Sequence, residues 1–391
     1  MSSANSSSLT VQPLLILQPL GPAEESLLCG RDSEVQTILE NCAAGRLTIL
    51  LSPPGFGASS VLRAGVQPAL LRAGTIVAIA SDWEGRTFAA RLRETVAAAV
   101  HDQTRIPFSP KEREPLIELL ERAGTAAGKP IAVFLDQFED YLRCHAGTDI
   151  SDAFDAELSH AVSSRAAHFV IAMHPSAAGE FERFSQFIPN LLGYTVTLAP
   201  LSQEAAAGLI RRRGVVDPSA VNEIVAARAA AVDGGVSPSL AALAAVRLSG
   251  TTLHAAGGAD RLILTSFDPA LNELRASQRR LLLQWLPVLV TADGHRIAVS
   301  LKGLTDRSSA GTGAVESALA ELIGAGVLRH VTTPFGVRYL LARDAAAPIL
   351  RDWGERMRKI RAGRKQTSLR AISVLVGVIA LIAAYLVYKG K

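Results

Sequence analysis

The sequence predicts an α/β fold with a parallel-sheet core, two smaller units after it and one C-terminal transmembrane helix. From about residue 27 to 200, short apolar runs alternate with helical stretches, the order that produces a parallel sheet. A proline- and glycine-rich turn over 52–60 follows the first apolar run, as in loops that bind phosphate. Near the end of the chain, 371–388 contains no charged residue.

Five apolar runs are the predicted strands of the core. They are Leu47–Leu51, Thr75–Ala80, Ile131–Leu135, His168–Met173 and Thr195–Leu198. Between the second and third runs a helix is predicted to begin at Ser109, with Pro110 at its first position and Glu112 completing a capping box. Pro115 leaves the start of this helix open.

The turn after the first strand has the layout of a P-loop, so the core is predicted to be a P-loop NTPase fold. The pattern G-x-x-x-x-G-K-[S/T] requires glycine, glycine, lysine and a hydroxyl at fixed offsets. On this chain those offsets fall on Ser52, Gly57, Ala58 and Ser59. The turn and the hydroxyl are present, but the first glycine and the phosphate-binding lysine are absent. Two interpretations of Ser59 and Ser60 stay open: they provide a Mg²⁺ ligand, or they are only N-caps of the helix.

A second candidate site residue follows the third strand. Asp136 stands at the carboxyl end of that apolar run, where open α/β sheets bind ligands. An acid there can hold Mg²⁺ opposite the Ser59 hydroxyl, and Glu139 or Asp140 can orient a water. The alternative is that Asp136 is only the polar end of a buried strand.

Length and composition indicate a globular protein of two or three domains, since the chain has 391 residues and is 49% hydrophobic. The net charge of +4 is modest and does not by itself indicate a nucleic-acid partner. Cys29, Cys42 and Cys144 lack metal-ligand spacing and fit a reducing setting better than a disulfide framework.

The segment 371–388 is predicted to span a membrane, because eighteen helical residues extend about 27 Å, close to the thickness of a hydrocarbon core. The juxtamembrane segment 353–370 is strongly basic, which places the bulk of the chain in the cytoplasm by the positive-inside rule. The alternative is a buried apolar helix. The basic residues of this segment are Arg356, Arg358, Lys359, Arg361, Arg364, Lys365 and Arg370.

The remaining segments give the predicted domain order. Residues 1–26 are predicted to be a flexible leader, 27–200 the core and 201–260 a helical lid subdomain. Residues 261–352 show helix starts at Asp268-Pro269 and Ser277, a helix at Ala314–Ile323, and a hairpin formed by Val327–Thr332 and Val337–Leu341. This order predicts a winged-helix domain, which raises a DNA-binding hypothesis. Its candidate basic residues are Arg279, Arg280, His295, Arg296 and Lys302.

Several strings in this order resemble the novel STAND NTPases, bacterial signal-transduction ATPases. LLCGRDSEV resembles the opening h-h-G-R-x-x-E of that family, SSVLRAGVQPAL resembles the helix after its P-loop, and DQFED resembles its Walker B segment. GGVSPSL resembles the G-x-P loop of its lid, and DAAAPILRDW resembles the signature after its winged helix, with Arg343 where the family has histidine. The resemblance covers roughly residues 20 to 355.

The resemblance implies an ATP or ADP site with Mg²⁺. It places Gly30 and Arg31 near the base and Pro238 near the adenine, and it makes Ser59 and Asp136 the metal ligands. It makes Asp136 the candidate catalytic acid, with Glu139 second to it. It assigns the phosphate loop to Gly55, Gly57, Ala58, Ser59 and Ser60.

Two departures from the family concern the phosphates. Ala58 replaces the lysine, and His174 and Ser176 stand where members have arginine and aspartate. Losing one preorganised donor typically slows a reaction by about 10²–10³. We therefore expect a membrane-tethered signalling or scaffold protein with little or no ATP hydrolysis, at the inner face of a bacterial cell membrane, with a protein partner or self-oligomer.

Two alternatives stay open. One is a working ATP-dependent switch with a substitute cation such as Lys129 or Arg31. The other is a membrane-anchored winged-helix regulator that binds DNA, although the family resemblance favours an inter-domain clamp, so that nucleic acid is the less expected partner.

Overall fold

The computed structural model describes residues 17–83, 85–145, 147–215, 217–229, 235–249, 271, 274–291, 294–333, 336–343 and 345–360. Among the helices of these ranges, none is both long and apolar enough to cross a membrane. The predicted span 371–388, the juxtamembrane residues 361–370, residues 1–16 and the helix start at Asp268-Pro269 lie outside the described residues.

The core is a parallel sheet of five strands in the order β2-β3-β4-β1-β5. All five predicted strands are confirmed, with bounds that differ by at most one residue. The strands are β1 (Leu47–Leu51), β2 (Ile76–Ala80), β3 (Ile131–Leu135), β4 (His168–Met173) and β5 (Thr195–Thr197). Since β3, β4 and β1 are neighbours in the sheet, the loops that follow them emerge side by side.

Both faces of the sheet are covered, which explains why its strands are apolar runs rather than alternating ones. Successive side chains of a strand point to opposite faces, and in β3 they enter two separate hydrophobic clusters. Val133 and Leu135 belong to one, and Ala132 and Phe134 to the other. The helices of the core are α1 (Asp32–Ala44), α2 (58–72), α3 (Phe88–Thr104), α4 (Leu116–Ala127), α5 (Phe138–Cys144), α6 (Asp149–Ser164) and α7 (Ala178–Phe181).

The helix start predicted at Ser109 is wrong, because α4 begins at Leu116 after Pro115. A proline disfavours helical backbone at the residue before it. That residue, Glu114, is instead held in a turn: its carboxylate accepts from the Lys111 backbone N–H and from the Arg122 guanidinium. These contacts hold the pKa of Glu114 below its ordinary value, chiefly through the hydrogen bond from Arg122.

Two smaller units follow the core. The lid consists of α8 (Gln203–Arg212), α9 (Pro218–Ala229) and α10 (Pro238–Ser249). The C-terminal unit contains α11 (Ala276–Leu289), β6 (Val299–Ser300), α12 (Leu301–Asp306), α13 (Thr312–Gly324), β7 (Leu328–Thr333) and β8 (Gly336–Leu341), with a further helix over 346–360. The predicted hairpin is confirmed as the antiparallel pair β7–β8, which β6 extends to three strands.

The lid and the C-terminal unit share one hydrophobic cluster that is separate from the two clusters of the core. It joins Ile210 and Leu243 of the lid to Trp285 and Leu322 of the C-terminal unit. Apolar burial therefore binds the lid to the C-terminal unit more than it binds either of them to the sheet.

The predicted flexible leader of residues 1–26 requires a correction over residues 17–26. Leu17 and Leu20 are buried, and Pro22–Leu27 forms a 3-10 turn. Leu17 belongs to the lid cluster, so apolar contact orders a segment that its serine-rich surroundings led us to predict as flexible.

We expect the stability of the fold to decrease as the pH falls below about 6.5, the ordinary pKa of histidine. His168 lies in β4, where its ring contacts Thr48 Oγ1 at 3.0 Å and the Gly45 carbonyl at 3.0 Å. Burial lowers the pKa of His168, so the unfolded chain takes up a proton at a pH where the folded chain resists it. Urea unfolding of the purified protein between pH 8 and 5 should show a smaller pH dependence for His168→Gln. The exposed His160→Gln should match the original chain, and equal slopes for all three proteins would contradict this.

Candidate nucleotide-binding site

Three loops meet at the carboxyl edge of the sheet, as the strand order requires. In the parallel pairing of β1 with β4, Leu51 is opposite Met173, so the loop over 52–60 leaves the sheet beside His174. Asp136 follows the adjacent strand β3. All three features line one cavity of about 200 Å³, which confirms that the sequence-predicted phosphate loop and acid lie together.

The loop keeps the shape of a phosphate loop. Gly55 and Gly57 have φ of +80° and +94°, a left-handed conformation that only glycine adopts without strain. Gly57 is the N-cap of α2, and its carbonyl accepts from the Val61 N–H at 2.8 Å. The backbone N–H groups at the start of α2 therefore remain available to an anion, although Ala58 contributes no charge.

The two serines have different roles, and neither is the N-cap. Ser59 Oγ donates to Asp136 Oδ1 at 3.0 Å. Ser60 Oγ accepts from the Leu20 N–H at 3.0 Å, so the segment before the core lies directly on the start of α2. The Ser59 position fits the predicted metal ligand, whereas the Ser60 hydroxyl is used to hold the chain.

Asp136 is held in place from several sides. It is 1% exposed, its backbone N–H donates to the Ala80 carbonyl, and its own carbonyl accepts from Trp83 Nε1 at 2.8 Å. Arg63 of α2 lies 3.9 Å from its Oδ2. A serine hydroxyl and a Walker B aspartate are the protein groups that hold Mg²⁺ in P-loop NTPases. Here the two are in contact, so the pair fits that ion.

The lid touches the apex of the loop. The Ser239 N–H donates to the Gly55 carbonyl at 3.2 Å, and Ser237 Oγ donates to the same oxygen at 3.3 Å. A Cβ added at Gly55 would lie 2.5 Å from Ser239 Oγ, so glycine is needed for this close approach. Pro238 lines the cavity, and its place near the adenine stays a prediction of the family resemblance.

Neither of the two predicted substitute cations can serve the phosphates. Arg31 is 3% exposed, and its guanidinium donates to Glu34 Oε1 at 2.7 Å, to the Phe56 carbonyl at 3.0 Å and to the Ala199 carbonyl at 2.8 Å. It therefore braces the loop. Lys129 is exposed before β3 begins, and Asp136 follows the end of that strand, so Lys129 lies at the opposite edge of the sheet.

His174 and Ser176, which replace the arginine and aspartate, bond to each other. The Ser176 N–H donates to His174 Nδ1 at 2.9 Å, so the His174 ring caps the 3-10 turn Pro175–Ala177. The His174 ring also makes an edge-to-face contact with His295 of the C-terminal unit. His174 thus has a structural role in this loop, and its ring also lines the cavity.

A buried ion cluster at Asp140 is the main feature that the sequence analysis missed. The Asp140 carboxylate accepts from Arg296 at 2.7 Å, from Arg329 at 3.1 Å and from Arg143 at 3.1 Å. Arg296 also donates to Gln137 Oε1 at 2.8 Å. The idea that Asp140 orients a water is wrong, because three guanidinium groups occupy it, whereas Glu139 lines the cavity.

This cluster changes the interpretation of the basic residues in the C-terminal unit. Arg296 is buried against the core and His295 lines the cavity, so two of the five candidate DNA contacts face the interior. The sequence offered one clue to this cluster: an acid in the Walker B segment and arginines that had no predicted role. Arg296 and Arg329 are so far from Asp140 in sequence that their contact could not be predicted.

A parallel sheet with a phosphate loop after β1, an acid after β3 and a lid over the loop is the arrangement of the P-loop NTPase fold class. The chain belongs to the novel STAND NTPase 1 family, whose model matches residues 13–337.

Comparison with solved structures finds proteins with a similar fold. A Walker-type ATPase of Pyrococcus abyssi is 17% identical, with 86% of this chain and 99% of that chain covered at a TM-score of 0.50. The ORC2 protein of Aeropyrum pernix, in its ADPNP–ADP complexes, is 15% identical, with 88% and 98% covered at a TM-score of 0.47. No curated protein matches the chain significantly in sequence. The first likeness shows a shared fold.

Replacing Asp140 by asparagine should destabilise the fold by about 3–5 kcal/mol, because it leaves the buried Arg296 guanidinium without its counter-ion. Urea unfolding measures this directly. Asp102→Asn, an exposed acid at the end of α3, is the matched control and should change stability by less than about 0.5 kcal/mol. Similar small effects of both variants would show that the Asp140 cluster does not hold the C-terminal unit to the core.

Proposed function

We propose that this chain is a STAND-family signalling protein that binds ATP or ADP with Mg²⁺ and hydrolyses it slowly or not at all. The observation that carries the proposal is the Ser59–Asp136 hydrogen bond beside a loop whose lysine position is Ala58. The groups suited to Mg²⁺ are retained, while the cation that supports phosphoryl transfer is absent.

The phosphates would be held chiefly by the backbone N–H groups over 57–60 and by a cation from outside the loop. Arg343 is the candidate cation. It follows β8 and lines the cavity. Arg296 connects the end of β8 to the core: its Nη1 donates to the Leu341 carbonyl at 3.5 Å, and its Nη2 donates to Gln137, next to Asp136. Arg343 therefore lies in the part of the C-terminal unit that packs near the Walker B acid.

A signal can follow from this arrangement, because the cavity wall comes from the core, the lid and the C-terminal unit. A nucleotide between them favours one arrangement of the three. The 261–352 segment is proposed to be a winged-helix domain that acts as an inter-domain clamp, which the buried Arg296–Asp140 contact supports over a DNA-binding role.

The proposal includes a membrane tether. The charge-free segment 371–388 and the basic residues before it support a single C-terminal anchor in a bacterial cell membrane, with the bulk of the chain in the cytoplasm. Output would then pass through clustering at the membrane or through a protein partner.

The decisive experiment is to denature the purified protein, identify any released nucleotide and measure ATP turnover. We expect ATP or ADP to bind and turnover to stay at background. Ala58→Lys should increase ATP affinity about ten- to a hundredfold, since a hydrogen bond to a charged group contributes about 1.5–3 kcal/mol. Ala73→Lys, in the exposed turn after α2, is the charge-matched control and should leave affinity unchanged.

Two results would count against the proposal. Absence of ATP and ADP binding at millimolar concentration would remove nucleotide as the signal. Ordinary turnover that Asp136→Asn abolishes would instead establish a working ATPase, and Arg343→Gln would then test whether Arg343 is its substitute cation.

A further inference from the structure

The lining of the cavity combines polar and apolar groups. The polar groups include the Ser59–Asp136 pair, His174 and Arg296. The apolar lining includes four residues of the hydrophobic cluster that the lid shares with the segment before the first strand of the sheet. They are Leu17, Cys29, Leu209 and Ala242.

One cation of the lid belongs to this lining. Arg213 follows the last residue of α8, lines the cavity and is partly buried. The neighbouring Arg212 Nη1 donates to the Ser26 carbonyl, so the end of α8 lies beside the segment that precedes Gly30. Burial lowers the pKa of Arg213.

The Arg213 guanidinium has unused hydrogen-bonding capacity. Its Nε is buried and has no hydrogen-bond partner among the residues that the structure describes. Buried polar groups are normally paired, because an unsatisfied one costs about 1–3 kcal/mol. Arg31, Arg143 and Arg296, which line the same cavity, each donate through a terminal guanidinium nitrogen to a core acceptor, although Arg31 Nε is also unpaired among the described residues.

We propose that Arg213 binds the nucleoside end of the nucleotide, by donating to base or ribose acceptors or by stacking on the base. This rests on the proposed function, because it assumes that the cavity takes a nucleotide. A planar base packs well against apolar walls. A guanidinium group has hydrogen-bond donors but no acceptor atoms, and its flat face stacks on aromatic rings. Arg213 is therefore a specificity-determining residue of the lid.

The position of Arg213 gives the contact a second consequence. The residue belongs to the lid, whereas the loop that takes the phosphates belongs to the core. A nucleotide that bonds to both draws the lid onto the core, whereas inorganic phosphate compounds, which lack a nucleoside, do not engage the lid cation.

The test compares two ligands and two variants in the full-length protein. Equilibrium binding of ATP and of inorganic tripolyphosphate is measured by calorimetry for the original chain, Arg213→Gln and Arg211→Gln. Arg211 lies on α8, is exposed and does not line the cavity. We expect Arg213→Gln to weaken ATP binding about tenfold or more and to leave tripolyphosphate binding within about twofold, while Arg211→Gln changes neither. Thermal melting confirms that each variant is folded, and Arg213→Lys, which keeps the charge without the planar fork, should recover only part of the loss.

The outcomes are separable. Equal loss for ATP and tripolyphosphate would place Arg213 at the phosphates and overturn the inference, as would ATP affinity unchanged by Arg213→Gln. Either result leaves the proposed function standing, since the chain still binds nucleotide. If the original chain binds no ATP or ADP, the proposed function fails and this inference fails with it.

Discussion

The Asp140 carboxylate is the contact on which the arrangement of the site depends. It lies in α5, one turn after the Walker B acid, and it gathers guanidinium groups from the core and from two places in the C-terminal unit. Because Arg296 also holds Gln137, which has an unusual positive φ of 56°, the backbone just after Asp136 is fixed from the far side of the cavity. The site is therefore complete only when the C-terminal unit is docked.

The core was largely predictable, and the reason is physical. Strands buried on both faces must be continuous apolar runs, so Ile131–Leu135 and His168–Met173 stand out from the sequence with their bounds. The phosphate loop and Asp136 were found because fixed backbone geometry requires glycines and an acid at strand ends. Ser59 donates to Asp136 across 77 residues of sequence, and its assignment as a Mg²⁺ ligand stays a prediction.

What could not be predicted depends on contacts between distant segments. Leu17 is buried in the hydrophobic cluster of the lid, which lies almost two hundred residues later, and nothing in the serine-rich leader signals this contact. The hydrogen bond from Arg31 to the Phe56 carbonyl could not be predicted without the position of the loop. The position of Lys129, at the edge of the sheet opposite the phosphate loop, could not be predicted without the direction of β3. Pro115 shifted the start of α4, because local backbone restriction outweighed a capping-box pattern at Ser109.

The separation of the hydrophobic clusters has a thermal consequence. The lid and the C-terminal unit share a single apolar cluster, whereas their described contacts with the core include hydrogen bonds at Gly55 and ion pairs at Asp140. Exposure of apolar surface dominates the heat-capacity change of a protein transition, and a seam joined by polar contacts exposes little of it. Separation of the core from the lid and C-terminal unit should therefore have a small heat-capacity change, and its equilibrium should depend weakly on temperature. Dissolved salt, which screens charges, should shift this equilibrium more strongly.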